Sequence, residues 1–127
     1  MIKVLKFGGT SVGSAANMKK VAEIVRREQA RITVLSAMSG TTDSLVRISR
    51  AAASGDRNAI EEQLAMLTDK YTRCIEELLR ERKQQALARM NATFGLIRDE
   101  AAAFAEYESE RKIIAQGELL TSAIFTA

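Results

Sequence analysis

Lys6-Phe7-Gly8-Gly9-Thr10-Ser11-Val12-Gly13 brings a lysine, paired glycines and two hydroxyls into one short stretch. Those residue types can bind an anion. Adjacent glycines let backbone amides approach a phosphate with no Cβ in the way. A helix beginning just afterwards would add the partial positive charge of its N-terminal amides, and Lys6 would add a full one. The P-loop of nucleotide hydrolases, G-x-x-x-x-G-K-[ST], is the nearest confusion. Gly8 and Gly13 have its separation, but Ser14 stands where the lysine belongs, and the lysine precedes the glycines. Two readings remain open: a phosphate loop of another geometry, or a plain strand-to-helix turn with Lys6 at a solvated edge.

A second polar stretch, Ser36-Ala37-Met38-Ser39-Gly40-Thr41-Thr42-Asp43, is rich in hydroxyls. It can serve a ligand, or it can cap a helix through Thr41, Thr42 or Asp43. A third candidate is Glu118, the one charge between Ile113 and Ala127. On a helix, Ile114, Glu118, Thr121 and Phe125 fall on one stripe. A carboxylate there cannot be buried alone, because desolvating it costs several kcal/mol. It is either tied into a salt bridge or cap, or it points into a site where it can receive a substrate ammonium.

These residues need elements to hold them. Ile2-Lys3-Val4-Leu5 reads as a buried strand running into the glycine loop. Ala15 to Glu28 reads as a helix with Met18, Val21, Ala22 and Val25 on one face. Ile32-Thr33-Val34-Leu35 is a second β-branched strand. Strand, helix and strand over this length predict a right-handed parallel βαβ unit. Both polar loops then follow the carboxyl ends of strands, where parallel sheets bind ligands. A helix is expected from about Ser44 to Ala53, broken at Ser54-Gly55-Asp56. Beyond it, Ile60, Leu64, Leu67, Tyr71, Cys74 and Leu78 recur at helical spacing, as do Leu87, Met90, Phe94, Ile97, Ala101 and Phe104. Separated by Glu81-Arg82-Lys83, they predict an antiparallel helical hairpin packed along apolar seams. Glu61, Glu62, Lys70 and Arg73 are expected on its solvated outside.

Composition narrows the chemistry. The 127 residues include no histidine and no proline. Without histidine, Ser-His and Cys-His catalysis and most zinc sites are excluded. The net charge of +3 is spread among interleaved acids and bases, and aromatics make up only 5%. Nucleic-acid binding is therefore not expected. Cys74, the only cysteine, excludes an internal disulfide, fits a cytoplasmic setting, and falls on an apolar face as an inert thiol. No secretory signal is expected, and no stretch is long and apolar enough to cross a membrane.

Three segments taken together resemble the aspartate kinases of the amino-acid kinase superfamily. They are Lys6-Phe7-Gly8-Gly9-Thr10-Ser11, which matches the family string KFGGTS throughout; Val34-Leu35-Ser36-Ala37 with Gly40 and Thr42; and Gly117-Glu118-Leu119. Their order and separation match the N-terminal third of the family, so the resemblance covers essentially the whole chain. It implies an α/β fold, the N-terminal part of a three-layer αβα sandwich. It also implies Mg²⁺-dependent transfer of the ATP γ-phosphoryl group to the β-carboxylate of L-aspartate, opening the route to lysine, threonine and methionine. Lys6 would be catalytic, neutralising charge on the moving phosphoryl group. Lys6, Phe7, Gly8, Gly9, Thr10 and Ser11 would form the ATP phosphate site. Thr42 and Glu118, and more weakly Ser36, would bind aspartate. No protein metal ligand is implied, and a full-length parent would be a homo-oligomer.

Family enzymes are several hundred residues long. Residues 1–127 are thus expected to be an incomplete N-terminal portion of the catalytic domain, inactive alone, lacking the rest of that domain and the ACT regulatory domains. Two alternatives stand beside this: a non-catalytic helical assembly module, and a kinase of the same superfamily with another acceptor such as glutamate or carbamate.

Overall fold

The computed structural model describes residues 2–104 and 106–127. The chain runs β1 (Val4–Phe7), α1 (Ala15–Glu28), β2 (Ile32–Leu35), α2 (Thr41–Ser54), α3 (Arg57–Leu78), α4 (Lys83–Ala102) and α5 (Glu106–Thr126). It is the helix-rich α/β arrangement expected, with a βαβ unit at its start.

β1 and β2 pair in parallel, Val4 opposite Ile32 through Phe7 opposite Leu35. β1 begins two residues beyond the start of the apolar run and takes in Lys6 and Phe7. The Lys3 carbonyl lies just before the ladder, where it accepts from the amides of Arg31 at 3.1 Å and Ile32 at 3.4 Å. α1 starts at the Ser14 cap, whose hydroxyl accepts from the Asn17 amide at 3.1 Å. Its apolar face buries Ala15, Met18 and Val21. Met18 reaches α3, with its sulfur 3.9 Å from that of Cys74.

α2 starts at Thr41, three residues before the expected Ser44. None of Thr41, Thr42 or Asp43 caps it. Gly40 holds the cap position at φ 83°, with no side-chain cap bond, a left-handed backbone that glycine adopts without strain. The Thr41 hydroxyl is engaged elsewhere, with Tyr71.

α3 and α4 form the expected hairpin. Ile60, Leu64, Leu67, Tyr71 and Cys74 are buried from one seam, and Met90, Phe94, Ile97 and Ala101 from the other. Tyr71 and Phe94 meet edge to face with centroids 5.9 Å apart. Toward the hairpin's open end, Glu61 takes a bidentate pair from Arg98 at 2.8 and 3.1 Å. α5 begins at Glu106, ahead of the apolar segment that foretold it. It packs on α2 and α4 and buries Ile113, Leu120, Thr121 and Ile124.

The helices cover one face of the strand pair. On the other, Val4 and Lys6 stand beside their partners Ile32 and Val34, all four exposed. Among the described residues, no helix is long and apolar enough to cross a membrane.

Candidate functional site

The glycine loop leaves β1 as an exposed turn braced from within. The Val12 amide donates to the Gly8 carbonyl at 3.3 Å, the Gly13 amide to Thr10 at 3.2 Å, and the Asn17 side chain to Thr10 at 3.1 Å. The amides of Gly8, Gly9, Thr10 and Ser11 donate to no backbone carbonyl among the described residues. Gly8, Thr10 and Ser11 are exposed, as is Lys6 at the carboxyl end of β1. These donors and the lysine have the chemistry to hold a phosphate.

Gly9 has a further task. A Cβ there would stand 2.9 Å from the Ala37 carbonyl oxygen and 3.5 Å from the Ser39 amide nitrogen. The two loops touch at this point, and the Ser39 amide donates to the Gly9 carbonyl at 3.1 Å. Three residues earlier in the same loop, the Ser36 amide donates to the Phe7 carbonyl at 3.1 Å. Ser36 is therefore placed beside the glycine loop, half-buried.

The third segment docks from the other side. Gly117 is buried in α5. A Cβ on it would lie 2.9 Å from the Ala37 methyl, 3.2 Å from Thr41 Cγ2 and 3.3 Å from Leu45 Cδ1. Glycine at this position lets α5 sit against the start of α2. Glu118, the next residue, is exposed. The desolvation problem posed by its apolar segment is thereby avoided without a buried partner.

Thr42 and Glu118 together line a cleft of about 790 Å³, with Glu110, Arg111, Lys112, Ile114 and Ala115. The acid and the hydroxyl singled out from the sequence thus face one space. Lys112 also pairs with Glu100 at 3.8 Å. Lys6 does not line this cleft; it lies near the carboxyl end of β1, opposite Val34. Among the described residues, no group of three or more Asp, Glu or Cys side chains could hold a metal ion.

Sequence reasoning missed what holds the turn leading into α2. Lys70, expected on the solvated outside, is half-buried, and its ammonium donates to the Ser39 carbonyl. Burial pushes its pKa down from the ordinary lysine value. The Tyr71 hydroxyl lies 2.8 Å from Thr41 Oγ1 and also interacts with Thr121 and the Met38 backbone. A tyrosine inside an apolar seam was the available signal, since a buried phenol hydroxyl needs a partner.

The amino acid kinase family model matches residues 1–124. Aspartokinase from Chlamydia muridarum is 32% identical over 122 residues, covering 95% of this chain and 26% of that protein. Chloroplastic aspartokinase 1 from Arabidopsis thaliana is 42% identical over 79 residues, 59% of this chain and 14% of that protein. Escherichia coli aspartokinase III in complex with lysine and aspartate (T-state) superposes with a TM-score of 0.87 at 27% identity, over 98% of this chain and 28% of that one. The same enzyme in complex with aspartate and ADP (R-state) gives 0.78 at 26% identity. The chain thus spans 14% to 28% of the length of these relatives. With the family model matching nearly end to end and the fold agreeing, the chain belongs to the amino acid kinase family.

Proposed function

We propose that this chain supplies the phosphoryl-contacting and acceptor-binding part of an aspartate kinase, an ATP-dependent enzyme of the cytoplasm. One observation carries the reading: Thr42 and Glu118, on separate elements, line one cleft, and Thr42 lies three residues beyond Ser39, whose amide is bonded to the glycine loop. The relatives named aspartokinase, and the neighbour bound to aspartate and ADP, support this acceptor and this donor.

In the reaction, a β-carboxylate oxygen of aspartate bonds to the γ-phosphorus of ATP as the bond to the β,γ-bridging oxygen breaks. ADP leaves with that electron pair. The nucleophile is already ionised near neutral pH, so no histidine base is needed. The protein's work is positioning and charge stabilisation. Lys6 is assigned to the equatorial oxygens of the moving group, and the Gly8–Ser11 amides to the nucleotide phosphates. Glu118 is assigned to the acceptor ammonium, Thr42 to a hydrogen bond with the acceptor, and Ser36 to a weaker contact. Mg²⁺ would enter on the nucleotide, as it commonly does where phosphates supply its ligands, and would add positive charge there.

The test uses the full-length protein. Glu118→Gln should weaken aspartate binding by calorimetry at least tenfold and leave ATP binding unchanged. Lys6→Met should lower kcat by about 10²–10³. Aspartate binding to Glu118→Gln with unaltered affinity would sink the assignment, and tighter binding of glutamate would redirect it to another acceptor.

A further inference from the structure

We propose that Lys70 and Tyr71, neighbours on α3, are positioning residues that set the register of the acceptor cleft by clamping the Met38–Thr41 turn from beneath. The inference rests on the cleft being an acceptor site, and it adds two residues that no motif of the chain marks.

The turn is gripped at successive points. Lys70 donates to the Ser39 carbonyl, while the amide of Ser39 is spent on the Gly9 carbonyl. One residue thereby connects α3 to the phosphate loop. Gly40 follows in the left-handed conformation, which turns the chain sharply into α2. Then comes Thr41, 2% exposed, hydrogen-bonded to a Tyr71 that is wholly buried. The same phenol hydroxyl interacts with the Met38 backbone and with Thr121. Thr41 precedes Thr42 directly, and Thr121 lies one turn of α5 beyond Glu118. A single hydroxyl therefore links the backbones that carry both acceptor contacts.

The chemistry favours positioning over bulk stability. Lys70 takes no carboxylate partner among the described residues, and its ammonium sits near the amino end of α2, where the helix dipole repels it. Part of its hydration has been exchanged for one backbone carbonyl. A hydrocarbon side chain would fill the same space without that cost. What the ammonium adds is a fixed direction for the Ser39 peptide.

The experiment compares Lys70→Met, Lys70→Arg and Tyr71→Phe with wild type in the full-length protein. Lys70→Met and Tyr71→Phe should raise KM for aspartate about five- to tenfold, the loss of one hydrogen bond each, with KM for ATP and kcat changed less than twofold. Lys70→Arg, which keeps a donor, should restore most of the loss. Amide exchange read by mass spectrometry should quicken at residues 36–42 in the first two variants and return in the third. A purely structural role would lower the melting temperature and leave aspartate KM and segment 36–42 unmoved, and that result overturns the inference. If Glu118→Gln binds aspartate normally, the acceptor assignment has failed instead; exchange at 36–42 still decides whether α3 clamps the turn.

Discussion

Tyr71 carries a hydroxyl into a largely apolar interior, beside the buried Thr41 and Thr121, and that placement has a pH signature. Burial pushes its pKa above the ordinary value, with its bonds to Thr41, Thr121 and Met38 opposing only in part. A group raised on folding contributes stability that is fully present below its unfolded pKa, here about 10. That contribution is lost as pH rises toward the higher folded value. In denaturant titrations from pH 9 upward, the wild type should therefore lose stability more steeply than Tyr71→Phe beyond about pH 10. Parallel curves would show that the hydroxyl ionises as freely folded as unfolded. At neutral pH the same substitution should cost about 1 kcal/mol, the ordinary worth of one hydrogen bond. The residues assigned to chemistry were legible in two ways: phosphate and ammonium recognition single out Lys6, the paired glycines and Glu118, while Thr42 was marked only by the family resemblance. Lys70 was not legible, since a lysine at the border of a helical stripe has the same spacing whether it meets solvent or a carbonyl.

Helices and strands were read from periodicity, and periodicity reports which face is buried but not what it touches. The α3 and α4 seams were foretold nearly residue by residue. The role of Gly117 was not, because nothing in its own helix reveals that Ala37 and Thr41 approach it. Two glycines within helices now differ sharply. An alanine methyl at Gly95 of α4 meets nothing within 4 Å. Gly95→Ala should stabilise by about 0.5–1 kcal/mol through helix propensity. At Gly117 the same methyl would lie 2.9 Å from that of Ala37. Overpacking of about 1–3 kcal/mol outweighs the propensity gain, and Gly117→Ala should destabilise. Chemical denaturation of the pair tests both signs. Equal stabilisation by the two would mean that α5 does not dock through its glycine. The start of α2 went astray for a related reason: three polar residues resembled a cap, while a glycine makes the turn and a threonine is drawn inward by Tyr71.

At the scale of the molecule, the strand pair is dressed on one side only. Parallel strands are ordinarily buried on both faces, and Val4, Ile32 and Val34 are instead 57%, 51% and 46% exposed. Contiguous apolar surface of this kind drives association. The 127-residue chain studied alone should self-associate at tens of micromolar, and Val4→Thr with Val34→Thr should shift it toward monomer by light scattering. A wild-type chain that stays monomeric to high concentration would show the patch to be too small to matter. Lys6 shares this face, next to Val4 along β1 and directly opposite its cross-strand neighbour Val34. Anything that covers the valines must also strip water from the ammonium, and an ammonium taken out of water without a counter-charge is costly. An anion resting on Lys6 removes that cost. Covering the sheet and holding a phosphate are then thermodynamically linked, each favouring the other by the same free energy, so the site fills most readily when the sheet is closed over.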